Sequence, residues 1–366
     1  MKFTCTQENL LRGLSRVSPI AGRGSQLPVL QHVLLQGKGG ALHLTATDLE
    51  VGVHTVVGGK LDGEGAFAVP ARGLLEYVQQ LPRNNPVVIS AEGGGVVVKT
   101  EGFRARFSSS DAEEFPLLPQ GSEDDSFELP ADVLCNALTR VVFAAAREET
   151  RPEIRSVFIK SDGGRVYIAA TDSFRLAEEI ITVDNLEEFS FLLPLPAAQE
   201  LARLFTDQKV IKVSPHDNHV LFYGDDIELS SRLVDGRYPD YQQIIPTTHT
   251  SSVTVAKDEL VRALKTLTIF LPRDSRRVEL EVAPKTGKIV AQVVGSEAGQ
   301  GDVVLSVDGD GEDVQVLVNI NYILEGVQHF SSADCEIQFL GAVDPIVFRP
   351  KGGDQYLYIV MPIQSQ

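Results

Sequence analysis

Thr171-Asp172-Ser173-Phe174-Arg175-Leu176 restates, one third of a chain length later, the pattern Thr47-Asp48-Leu49-Glu50. Asp48 to Asp172 is an offset of 124 residues, and Pro70 in Ala68-Val69-Pro70-Ala71 returns with the same offset as Pro194 in Leu192-Leu193-Pro194-Leu195. Pro116 in Phe115-Pro116-Leu117-Leu118 returns as Pro239 in Tyr238-Pro239-Asp240-Tyr241, an offset of 123. Landmarks that keep register to one residue mark an internal repeat. A further step lands near Val293-Val294-Gly295-Ser296, strand-like but without the Thr-Asp pair, and near Val316-Leu317-Val318-Asn319, where a helix is expected to begin. A third, diverged copy is therefore present. Dividing 366 residues by three gives units of ordinary domain size, read here as 1–121, 122–246 and 247–366.

Each copy alternates strand and helix patterns in the same order. The first opens on the short alternating run Lys2-Phe3-Thr4-Cys5, followed over Glu8–Val17 by Leu10, Leu11, Leu14 and Val17 at helical spacing. Strand-like runs follow, then a helix over Ala71–Leu81 entered through a proline, then two valine-rich runs joined by glycines. The later helices are expected over Ala131–Ala146, Pro196–Phe205, Lys257–Leu271 and Asn319–Phe330. Hairpin-length strands with two helices per unit predict an antiparallel α+β fold rather than a doubly wound sheet.

Composition narrows the function. Hydrophobic residues at 43% and charged residues at 23% fit globular domains with real cores. Three cysteines without Cys-x-x-Cys spacing support neither a disulfide framework nor a zinc site. The N-terminus has no apolar signal-type region and no run reaches the roughly 18 apolar residues that span a bilayer, so a soluble cytoplasmic protein is expected, with no membrane contact. A net charge of −17 argues against gripping nucleic acid over the whole surface, because phosphate neutralisation needs a local excess of Lys and Arg.

Lys2-Phe3-Thr4, Leu27-Pro28-Val29-Leu30, Thr47-Asp48-Leu49-Glu50, Val69-Pro70-Ala71-Arg72, Ala170-Thr171-Asp172 with Arg175-Leu176-Ala177, Leu233 to Tyr241, and the closing Val360-Met361-Pro362 together resemble the β subunits of bacterial DNA polymerase III, the sliding-clamp family. The resemblance runs the full length in order. It implies three tandem clamp domains and a head-to-tail homodimer closed into a ring, with helices lining the hole and sheets outside. A ring holds duplex DNA by topology, so weak, sequence-independent electrostatics suffice despite the acidic total. It also implies no cofactor, a nucleoid-associated location, and partners that dock through linear peptides: the polymerase III α subunit, the clamp-loader δ subunit, other DNA polymerases, mismatch-repair proteins and ligase.

Matching positions place that peptide cleft at Ile154, Thr171, Ser173, Phe174, Arg175, Leu176, Pro239, Gln243, Ile244, Asn319, Tyr322, Val343, Val360, Met361, Pro362 and Ile363. Aliphatic walls and one flexible thioether suit a site that accepts many related peptides. Phe174 stands where relatives often carry His, and Gln243 where Arg is common. If helices face DNA, their cations are the candidate contacts: Arg12, Arg16, Arg72, Arg140, Arg147, Arg203, Arg262 and Lys265, with Arg23 and Arg151 on loops. Leu195-Pro196 replaces the basic residues common in the family. Phe107, Ile269, Phe270 and Leu271, apolar residues beside cationic stretches, are expected at the dimer interface between first and third domains.

Other constellations carry less. Asp308-Gly309-Asp310-Gly311 begins like a calcium loop, but Asn319 stands at the twelfth position and strand patterns flank it; an acidic hairpin tip is expected. His216-Asp217-Asn218-His219 reads as a turn between strands. Asp48 and Asp172, repeated in equivalent places, read as turn caps rather than a catalytic pair. The alternatives are an α+β enzyme using Asp172 and Arg175, and a scaffold that does not bind DNA.

Overall fold

The computed structural model describes all residues except 24–26, 84, 120, 122–125, 149, 185, 273, 274, 297, 298, 354, 365 and 366. Among the described residues six α-helices occur in pairs, one pair per repeat: α1 Gln7–Val17 and α2 Ala71–Gln79, α3 Ala131–Val141 and α4 Leu195–Leu204, α5 Lys257–Leu267 and α6 Ile320–Val327. Four, α2, α3, α5 and α6, are shorter than their apolar patterns suggest. After α3 the chain tightens into a 3-10 turn at Val142–Ala144, and after α5 into another at Thr268–Phe270. Apolar spacing persists through such a turn, so it extends the pattern beyond the α-helix.

The helices form where the pattern predicts because one stripe finds a sheet to cover. Thr6 caps α1, accepting a hydrogen bond from the Asn9 N–H, while Leu10, Leu14 and Val17 are fully buried. Each such leucine removes about 1.5–3 kcal/mol worth of apolar surface from water. Gly13 is required there: a Cβ would lie 2.5 Å from Val57 Cγ2.

The described residues divide into two compact units, Met1–Asp132 with Glu200–Leu233, and Val133–Gln199 with Val234–Gln366. Each unit contains two antiparallel sheets, and in each the larger sheet crosses a repeat boundary. In the first unit an eight-stranded sheet sets Ile227–Arg232, from the second repeat, beside Val51–Val57, from the first, with Leu229 opposite Val53. Its companion sheet has five strands and ends on Phe103–Ser108. In the second unit a nine-stranded sheet joins Arg175–Thr182 to Tyr356–Val360, with Ala177 opposite Tyr358. Its companion has four strands and ends on Gly299–Ser306.

Asp308–Gly311 corrects one expectation. It is a strand rather than a hairpin tip, paired with Ser251–Thr254, and Gly309 and Gly311 let its backbone approach Val253 and Ser251 closely. His216 and His219 do bracket a turn, the His216 N–H donating to the His219 carbonyl at 2.8 Å.

Candidate functional site: a two-lobed cleft

The repeated Thr-Asp turn is built identically in both places. Thr47 Oγ1 donates to the Val51 carbonyl at 2.9 Å, and Thr171 Oγ1 to the Arg175 carbonyl at 2.6 Å. Asp48 accepts from the Glu50 and Val51 N–H groups, Asp172 from those of Phe174 and Arg175. The third turn residue is left-handed in each, with φ 79° at Leu49 and 77° at Ser173. Both aspartates are therefore turn caps, as their repetition predicts.

On the second turn the chain opens a cleft with two lobes, both within one compact unit. The smaller, about 150 Å³, is walled by Thr171, Leu176, Pro239, Tyr241, Ile244, Ile359 and Met361. The larger, about 440 Å³, is walled by Ala145, Ala146, Arg147, Ile154, Phe174 and Tyr322. Arg151, Ser173 and Arg175 border both lobes, and Arg151 Nη1 donates to Ser173 Oγ at 3.1 Å. Phe174, at 61% exposure, stands at the mouth, while the Met361 N–H donates to its carbonyl at 2.9 Å.

Arg175 is the fixed point. It donates to Asp172 at 3.0 Å, to Glu325 of α6 at 2.5 Å and to the Phe143 carbonyl at 2.8 Å, and its guanidinium lies over the Tyr322 and Phe143 rings. Burial works against its charge, but the bond to Glu325 and the nearby carboxylates hold it protonated above its usual range. Beneath the smaller lobe Leu176, Tyr238, Tyr241 and Ile359 share a buried cluster, and the Tyr241 hydroxyl donates to Glu178 at 2.5 Å. Burial pushes the Glu178 carboxyl up. Apolar walls crossed by a rigid cation give the groove the character of a site for short apolar segments.

Of the residues expected here, Ile154, Thr171, Ser173, Phe174, Arg175, Leu176, Pro239, Ile244, Tyr322 and Met361 line the two lobes. Val360 is fully buried in the strand opposite Arg175, and Pro362 is buried. Ile363 is fastened by its N–H to the Leu317 carbonyl, Asn319 caps α6, and Gln243 donates to Asp240. Val343 is 59% exposed and borders neither lobe. Ala145, Ala146 and Tyr241 were missed, being apolar residues that read as core. Arg147 and Arg151, read as DNA contacts, border the larger lobe.

At the first junction the same turn has different neighbours. Where the cleft has Phe174 and Met361, the corresponding hydrogen bond joins Arg232 N–H to the Glu50 carbonyl, and their side chains form an exposed ion pair at 3.9 Å. Gly52 replaces Leu176, and Leu118 fills the notch against it.

The cationic candidates divide into two groups. Arg12, Arg72, Arg147, Arg151, Arg262 and Lys265 are exposed. Arg16 is paired with Asp226 at 2.8 Å, Arg140 with Glu179 at 3.0 Å, and Arg23 and Arg203 with Glu200. Of the apolar set, Ile269 is 69% exposed, Phe270 packs over Gly301, Phe107 sits edge-on to Tyr77, and Leu271 is half-buried.

Three copies of one α+β unit, joined through shared sheets and carrying a peptide-sized cleft, define a tandem-repeat docking protein; among the described residues no group of three or more His, Cys, Asp or Glu side chains is placed to hold a metal. Comparison with known proteins makes the class specific. Residues 1–119, 128–240 and 242–364 match, in order, the N-terminal, central and C-terminal domains of the DNA polymerase III beta subunit. The beta sliding clamps of Synechococcus elongatus and Salmonella typhimurium are each 28% identical, covering all of this chain and 99% and 100% of their own lengths. The Thermotoga maritima beta subunit superposes with a TM-score of 0.94 at 29% identity, and a Pseudomonas aeruginosa clamp solved bound to griselimycin with 0.94 at 26%, each over the full length of both chains. The chain belongs to the DNA polymerase III beta subunit family, and its function is that of a non-catalytic DNA sliding clamp.

Proposed function

We propose that two copies close head to tail around duplex DNA and that the cleft tethers polymerase III α, the clamp-loader δ subunit and other replication and repair proteins by short linear peptides. The observation that carries this is the two-lobed groove on the Thr171–Arg175 turn, whose walls converge on a buried Arg175 held by Asp172, Glu325 and the Phe143 carbonyl. The three units 1–121, 122–246 and 247–366 supply the repeats. Retention by topology reconciles DNA association with a net charge of −17. Of the candidate cations, the exposed Arg12, Arg262 and Lys265, and Arg72 in an exposed pair with Glu76, can meet phosphates without first breaking a buried pair, whereas Arg16, Arg23, Arg140 and Arg203 are engaged by carboxylates that are at least partly buried. The dimer contact uses Phe107 from one copy and Ile269, Phe270 and Leu271 from the other. A cytoplasmic, nucleoid-associated location accords with three buried cysteine thiols outside disulfides.

Fluorescence anisotropy with a labelled peptide from the polymerase C-terminus tests the cleft. Met361→Ala is expected to weaken binding about tenfold by removing apolar contact; unchanged affinity in a folded dimer rejects the assignment.

A further inference from the structure

The first junction between repeats reproduces the backbone frame of the cleft with other side chains on it. The Leu30 N–H donates to the Leu27 carbonyl as that of Ile154 does to Arg151, and the Gly22 N–H to the Leu30 carbonyl as that of Ala146 does to Ile154. Each pair lies 124 residues apart in sequence. Arg151, Ser173 and Asp240 are polar residues on the rim of the smaller lobe. Steps back of 124, 124 and 123 residues carry them to Leu27, Leu49 and Leu117. These leucines are 52%, 48% and 96% exposed, and Leu340 is the fourth exposed leucine of the described residues. Floor and rim have exchanged character between the two junctions. At the second, an apolar floor lies open beneath a polar rim; at the first, Leu118 fills the place against Gly52 and the rim is leucine.

We infer that Leu27, Leu49 and Leu117 form a second docking surface, separate from the cleft, and that its occupant is an amphipathic helix of a partner protein whose apolar stripe is flanked by Lys or Arg. Leucines gathered on one rim leave apolar area in water that a partner's face removes. Because the floor is filled, the surface presents knobs instead of a slot, so it takes a face and not an inserted side chain. It cannot add a strand either. In the Thr47–Val51 turn the Glu50 carbonyl accepts from Arg232 and the Val51 carbonyl from Asp48, while Thr47 and Asp48 take up the Leu49, Glu50 and Val51 N–H groups. A partner must therefore satisfy its own backbone, as a helix does. Charge sets the flanks. Asp48 and Glu50 border Leu49, and exposed Glu113 and Glu114 lead into Leu117. Arg232 meets Glu50 at 3.9 Å and Arg23 is held by Glu200, so the surroundings stay acidic. In a chain of net charge −17 these carboxylates repel nucleic acid and a second copy of the same surface, and favour a cationic partner.

The test is fluorescence anisotropy with the full chain and a labelled helical peptide of about 18 residues, leucine on one stripe and lysine on both flanks. A second peptide keeps the leucines and carries Glu for every Lys. The lysine peptide is expected to saturate with a Kd on the order of tens of micromolar, and the Glu peptide to bind at least about tenfold more weakly. Leu49→Gln and Leu117→Gln, exposed positions whose fold circular dichroism checks, are each expected to weaken the lysine peptide about fivefold. An excess of unlabelled polymerase C-terminal peptide is expected to leave it bound, which separates this surface from the cleft. Absence of saturable binding, equal binding of the Glu peptide, affinity unchanged by both leucine substitutions, or displacement by the polymerase peptide would each overturn the inference. So would association of the protein with itself, in analytical ultracentrifugation without peptide, that Leu117→Gln abolishes, since the occupant would then be a second copy.

Discussion

Removing the Arg175 side chain would strand Asp172, leave Glu325 without its cation and open space between the Phe143 and Tyr322 rings. Arg175→Ala is therefore expected to abolish measurable peptide binding and to cost about 3 kcal/mol in chemical unfolding, the cost of breaking a buried pair from one side. Binding retained within threefold would show that the cation is structural only. Leu49 makes a second residue-scale case. Its φ of 79° is a conformation only glycine adopts without strain, so Leu49→Gly is expected to raise stability by about 0.5–1 kcal/mol in urea unfolding, with peptide affinity unchanged. His54 and His43 share a 2.9 Å ring contact, and burial, followed by His43 and Lys38, lowers the His54 pKa to about 4. Folding thus favours neutral His54: its contribution is complete above the unfolded value near 6.5 and is lost as pH falls toward 4. A melting-temperature difference between parent and His54→Asn that narrows over that window is expected; a constant difference from pH 7 to 4 contradicts it.

At the scale of elements, α6 ties the cleft to the sheet behind it. Gly326 lets the helix lie against Tyr358, where a Cβ would come 2.1 Å from the ring, and the Tyr358 hydroxyl donates to the Tyr322 carbonyl. Gly326→Ala is expected to lower stability by more than about 2 kcal/mol and to weaken peptide binding through Tyr322; a variant as stable as the parent would show that the helix shifts freely. Much at this scale was legible in the sequence. Thr-Asp turns, helix starts and the six amphipathic stripes depend on neighbours within a few residues, so spacing alone revealed them. The pairing of Ile227–Arg232 with Val51–Val57 was not legible, because both strands alternate like any half-buried strand and nothing local names the partner. Nor was the role of Ala145 and Ala146, whose small apolar side chains look the same in a core as in a groove wall. Phe174 and Met361 were legible only because a family resemblance placed them; their own spacing reads as a loop and a terminal strand.

At the scale of the whole molecule, the repeats share sheets and the total charge is acidic. Both accord with the proposed holding of DNA by enclosure, with few phosphate contacts. Neutralising Arg12, Arg72, Arg262 and Lys265 together is thus expected to shorten residence on linear DNA and flatten its salt dependence, while leaving topological retention intact. The most direct measurement of enclosure loads the protein with a clamp loader onto a nicked circular plasmid and passes the complex through gel filtration at high salt. The account predicts that the protein stays with the circle and is released when the circle is linearised. Loss from the intact circle at the same rate as from linear DNA would contradict it.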